Sequence, residues 1–278
     1  MSHADWFITL LMLTLMASVL FCYWRAKKGK LSYIRQISGV AAMEEAVGCA
    51  TEMGKPILFI VGETGIQDII THTGMAVLSH VGRLAARMRT RLVVLMSVPE
   101  VYPLAEATVR QAYMSEGAPE LFNGTEQVRF LSSDGVVFAA GVSRFVEEER
   151  PGCVIFFGGF SFTALLLTEP GARLGILQIA GDPSLFQVPF FVCTCDHTII
   201  GEEFFAAGAF VSPDPRMRNS LLSQDLIKAV FVSIILAGLL WMVVSPCPEI
   251  RDPDAPAGSA TVAPSNHHCL ATLLKRYR

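Results

Sequence analysis

Short apolar runs and helical stripes alternate along residues 31–220 of this 278-residue chain. Pro56 to Val61 (PILFIV) is apolar throughout and bounded by Gly54 and Gly62, which predicts a buried strand. Ile66, Ile69, Ile70, Thr73, Val77, Val81, Leu84 and Met88 then fall on one stripe of a helix. Further strands are predicted at Arg91 to Val98, Val128 to Leu131, Val154 to Phe157, Gly175 to Ala180 and Phe190 to Cys195. Helices are predicted between and after them, at Pro103 to Tyr113, Asp134 to Glu148, Phe160 to Thr168 and Phe204 to Phe210. An earlier helix, Met43 to Met53, suits a cap on the sheet near a membrane. Strands that are apolar throughout and alternate with helices indicate a sheet covered on both faces. The expected fold is an α/β, doubly wound, mostly parallel Rossmann-like sheet domain, with its strand order left open.

Two longer runs flank this pattern. Trp6 to Trp24 is uncharged with aromatic residues at both ends, close to the ~20 residues that cross a bilayer. A cleaved signal peptide would place basic residues before the run, whereas Asp5 precedes it and Arg25, Lys27, Lys28 and Lys30 follow. Leu226 to Val244 is interrupted only by Lys228, with Arg216 and Arg218 before it and Glu249, Asp252 and Asp254 after it. A core helix is the competing reading of this second run. Both charge asymmetries place the middle segment in the cytoplasm and both termini outside. The expected map is a short segment 1–5, a span 6–24, a cytoplasmic domain 25–225, a span 226–244 and a flexible Pro/Ala/Ser-rich tail 245–278. The protein is thus expected as a two-pass inner (cytoplasmic) membrane protein.

Composition agrees with that map. Hydrophobic residues make up 52% and charged residues 17%, below the roughly 25% of soluble domains. Mean hydropathy is +0.46. A net charge of −3 gives no basic field for nucleic acid. On this topology Cys49, Cys153, Cys193 and Cys195 are thiols, and only Cys247 and Cys269 meet an oxidising compartment.

The stretches YIRQISG (33–39), EEAVGCATEMGKPILF (44–59), GILQIAG (175–181) and PFFVCTCDHTIIGEEFFAAGAF (189–210) resemble an uncharacterised bacterial membrane-protein family. In that family two spans flank a Rossmann-like cytosolic domain. The resemblance implies fold and topology, and supplies no activity and no catalytic residues.

Ligands of open α/β sheets bind beyond the carboxyl ends of the strands, so the polar residues there are the candidates. They include Glu63, Thr64, Asp182, Asp196, His197 and Glu202. VGETGIQD (61–68) is the nearest thing to a phosphate loop, yet it lacks the GxxxxGK[ST] lysine and the three glycines of GxGxxG. In FFGGFS (156–161) the serine follows the glycines instead of standing between them, unlike a nucleophile elbow. Strand-end carboxylates could hold a hard cation, but short acidic side chains commonly cap helices and turns. His72 and His80 are about 12 Å apart on one helix, too far to share a metal. In FVCTCDHTIIGEEFF (191–205) the expected strand puts both cysteines on one side, with Asp196 and His197 emerging into the crevice.

The expectation is therefore a non-enzymatic membrane-anchored subunit or scaffold, with no metal and no cofactor. Its partners would be the bilayer and other membrane subunits, or a second copy through the spans, where Ala229, Ser233 and Ala237 recur at four-residue spacing. The alternatives are a ligand- or nucleotide-binding regulatory module and a metal-dependent enzyme using the same carboxylates.

Overall fold

A computed structural model describes residues 38–212, a helix at Pro215–Val244 and, before residue 38, only positions 9, 12, 13 and 16. Apart from those four positions the apolar run Trp6 to Trp24 lies outside the described residues, as do the tail from residue 245 and Cys22, Cys247 and Cys269. Six parallel strands form one sheet in the order β3-β2-β1-β4-β5-β6. They are β1 (Ile57–Val61), β2 (Leu92–Met96), β3 (Val128–Phe130), β4 (Cys153–Phe157), β5 (Leu177–Asp182) and β6 (His197–Ile200). This is the strand order of the doubly wound dinucleotide-binding fold.

Alternate strand residues feed two cores. Phe59, Val94, Ile155 and Phe157 point to one face, covered by α1 (Ser38–Glu52), α2 (Ile69–Arg87), α3 (Tyr102–Ser115) and α8 (Glu202–Val211). Leu58, Ile60, Val93 and Phe156 point to the other, covered by α5 (Gly135–Glu149), α6 (Ala164–Arg173) and α7 (Val188–Thr194). A short α4 (Gly124–Gln127) leads into β3. β1, β2 and β4 are buried at every position, which is why they read as unbroken apolar runs.

The sixth strand departs from expectation. Phe190 to Cys195 is not a strand: Val188–Thr194 is helical, and the strand is the four-residue HTII that follows. Pro189 sits in the first turn of α7, where its fixed φ suits a helix start and its missing N–H costs nothing. The helix buries Phe191 against Phe156 and Phe160, so tertiary packing outweighs the β-preference of FFV. Cys193 and Cys195 therefore do not share a strand face. Cys193 is exposed, whereas burial pushes the Cys195 thiol up to about 12, and the Cys153 thiol likewise. Helix α6 also runs further than expected, through Pro170 to Arg173.

Gln178 on β5 ties these helices to the sheet, donating to Thr168 O (3.0 Å) and Thr194 O (2.9 Å). The long helix α9 spans Pro215–Val244, and from Ser223 onward its residues belong to a second compact unit. No helix among the described residues is long and apolar enough to cross a membrane. Of Leu226 to Val244, the side chains of Leu226 and of residues 241–244 lie outside the described residues.

The Phe157 ring stacks on Phe204 of α8 with centroids 4.5 Å apart, and a Cβ at Gly181 would collide with that ring. Gly181→Ala is expected to lower stability by about 1–3 kcal/mol, as overpacked cores do, measured by chemical denaturation of the full chain.

Candidate functional site

The strand order reverses between β1 and β4, so a crevice is expected beyond their carboxyl ends. The loops leaving the two strands meet there. Gly62 N donates to Phe157 O (3.3 Å), and Glu63 N donates to Gly159 O (2.8 Å). A Cβ on Gly62 or on Gly158 would fall 2.5 Å from backbone atoms of the opposite loop, so neither position accepts a side chain without displacement. Gly158 also has φ +150. The glycines in VGETG and FFGGF thus serve a backbone-to-backbone contact between two loops.

The carboxylates complete the closure. Glu63 Oε2 accepts from Ser161 N (3.0 Å), and Oε1 accepts from the buried Thr163 hydroxyl (2.6 Å). Asp182 Oδ2 accepts from Phe160 N (3.0 Å), and Oδ1 accepts from Ser184 N (2.6 Å). Residues 160 and 161 belong to the loop that leads from β4 to α6, and Glu63 and Asp182 hold that loop through its N–H groups. Thr64 pairs with Thr71 (2.9 Å), whose hydroxyl also reaches Gly65 O (2.7 Å). From the end of β2, Glu100 Oε1 accepts Ile66 N at 3.1 Å. Asp134 caps α5 by accepting from Val136 N and Val137 N, both at 3.0 Å.

Four of the six candidate residues, Glu63, Thr64, Asp182 and Glu202, lie at the carboxyl edge. Glu202 opens α8 just after Gly201, whose N–H donates to Asp182 O (3.3 Å). Asp196 and His197 are displaced to the opposite edge, because β6 begins at His197 instead of ending at Cys195. Asp196 Oδ2 accepts from Gln178 N (2.8 Å) at the start of β5, so this carboxylate fastens the amino edge of the sheet. The partners of Glu63 escape sequence reading. A threonine just before ALLL is a helix-start signal, but nothing in sequence couples it to a glutamate 100 residues earlier.

Chemically, Glu63 and Asp182 each accept two hydrogen bonds from the chain itself. Asp182 is almost fully buried, and loss of water pushes its carboxyl up to about 6, against the pull of two N–H donors. Nearby Glu63 adds to the rise. Among the described residues no three His, Cys, Asp or Glu side chains converge on a point that could hold a metal ion. His80 is drawn to Glu44 at 3.3 Å, while His72 on the same helix is exposed.

The model of a family described as a domain of unknown function, DUF6754, matches residues 1–250. The chain belongs to DUF6754. The DUF6754 match takes in the α/β fold and both apolar runs, and stops within the Pro/Ala/Ser-rich tail. No curated protein matches the chain.

Two measurements test the closure. Glu63→Gln keeps the shape but turns an N–H2 group toward a donor, so a loss of about 1–3 kcal/mol is expected in denaturant unfolding. Unchanged stability would mean that the carboxylate does not hold the loops. Asp182 has a folded pKa near 6, above the ordinary value of about 3.9, so folding takes up a proton between those values. Stability should therefore fall as pH rises from 4 to 6 and level off above, by about 3 kcal/mol relative to Asp182→Asn. Parallel pH profiles for the two proteins would contradict this.

Proposed function

We propose that the chain is a non-enzymatic, membrane-anchored subunit or scaffold that displays its α/β domain on the cytoplasmic face of the inner membrane. The observation that carries the non-enzymatic part is the state of the crevice. Where this fold ordinarily receives a ligand, Glu63 and Asp182 are consumed in holding two loops together. A catalytic acid or base has to reach a substrate proton, and these carboxylates face three backbone N–H groups and the Thr163 hydroxyl instead.

The anchor is supported by both flanking runs and their charge asymmetry. It is supported also by α9, whose side chains from Phe231 to Leu240 are exposed around the whole helix and uncharged. A helix apolar on all sides suits a nonpolar surround. Ser233 returns its hydroxyl to Ala229 O (2.8 Å), which satisfies it without water.

Purification from the native membrane in mild detergent, with mass spectrometry of what accompanies the chain, tests this reading. Other membrane subunits are expected in stoichiometric amount, with no thermal shift on adding nucleotides, Mg²⁺ or Mn²⁺. Recovery as a lone monomer that a nucleotide stabilises would replace it with the binding-module reading.

A further inference from the structure

The amino edge of the sheet, opposite the crevice, holds a polar cleft of about 190 Å³. It lies between the turn that leads from α2 into β2 and the turn that leads through α4 into β3. In a binding site a small number of polar groups converge on one concave space. Here the floor is made of buried side chains. Gln127 donates through Nε2 to Leu121 O (3.1 Å) and to the Tyr113 hydroxyl (3.4 Å), and that hydroxyl donates to Thr90 O (3.5 Å). Both bonds of the Tyr113 hydroxyl are long, so the floor keeps hydrogen-bonding capacity.

The rim carries charge. Arg89, Arg91 and Glu126 are exposed and line the cleft. Arg91 is held by Glu149 at 3.2 Å. Among the described residues, neither the Arg89 guanidinium nor the Glu126 carboxylate has a hydrogen bond or an ion pair. One free cation and one free anion thus stand on the same small cleft without reaching each other.

The backbone sets Arg89 apart. Helix α2 closes with Arg89 N donating to Ala86 O (3.2 Å) and Thr90 N to Ala85 O (2.9 Å), the paired bonds of a Schellman end. Helices α1, α3 and α6 close with the same pair of bonds, and there the left-handed residue is Gly54, Gly117 or Gly175. Arg89 takes that conformation at φ +55 with a Cβ that disfavours it. An arginine therefore stands, at a conformational cost, where the same turn elsewhere in this chain takes glycine. Arg150 is also left-handed, at φ +45, but it does not line the cleft.

We infer that this cleft receives a small zwitterion of the α-amino-acid class, with its carboxylate on Arg89 and its ammonium on Glu126. A guanidinium offers a carboxylate two parallel N–H donors. A simple anion would be repelled by Glu126 and a simple cation by Arg89, whereas a ligand bearing both charges uses both free groups. The cleft lies at the edge opposite Glu63 and Asp182, so the inference goes beyond the membrane-subunit reading and does not depend on it.

Thermal unfolding of the full chain in mild detergent, with the common L-amino acids added one at a time, tests this. At least one is expected to raise Tm by several degrees at saturation, as a ligand that prefers the native state does. Inorganic phosphate and the N-acetylated and amidated forms of that amino acid are expected to leave Tm unchanged. Arg89→Gly is expected to fold at least as stably, because glycine suits the turn, yet to raise the apparent Kd about 10- to 100-fold. Glu126→Gln should weaken binding to a similar extent, while Arg150→Gly keeps the full response. The inference is overturned if no amino acid shifts Tm, if phosphate or the N-acetylated form shifts it equally, or if the response survives in both Arg89→Gly and Glu126→Gln. None of these outcomes bears on the co-purification that tests the anchored-subunit reading.

Discussion

The β1–β4 contact is the constraint on which the domain depends. In the order β3-β2-β1-β4-β5-β6 it is the one pairing that joins the first half of the sheet to the second. Ile57 to Val61 lie beside Cys153 to Phe157 in register, and the backbone continues the contact past the strands through Gly62 and Gly158. Parallel strands cannot be held by a tight turn, so the join needs help beyond the ladder. Glu63 and Asp182 provide it by binding the N–H groups that precede α6. The same two carboxylates thus hold the halves together and take up the N–H groups of the loop after β4.

Periodicity located most of this architecture. Buried parallel strands are uniformly apolar, and β1, β2, β4 and β5 stand within a residue or two of where their runs predict them. The failure at β6 has a local physical cause. FFVC is apolar and aromatic, so it reads as a strand, yet Pro189 starts a helix and Phe191 has a pocket between Phe156 and Phe160. The edge strand that replaces it, HTII, is short and half exposed, which leaves little apolar signal.

That slip of a few residues moved Asp196 and His197 from one edge of the sheet to the other. By contrast, Glu63 and Asp182 stand at the carboxyl edge where the well-marked ends of β1 and β5 put them, and Glu202 stands there because the displaced β6 ends just before it. What a sequence pattern lacks is pairing at a distance. The partners of Glu63, Ser161 and Thr163, become its neighbours only once β1 and β4 lie side by side.

The same β1–β4 pairing has a consequence for the order of events as the chain is made. Ile57 pairs with Leu92 on one side but finds its second partner only when Cys153 exists, because the sheet is built outward from its centre and not along the sequence. Until then ILFIV is an unpaired apolar edge, whose neighbour β2 can cover only one side. Nonlocal closure of this type is slow and leaves partly folded chains prone to association. Synthesis of the first three strands therefore yields a half-sheet with an open flank, and the GG loop after β4 is the point in the chain at which that flank can close.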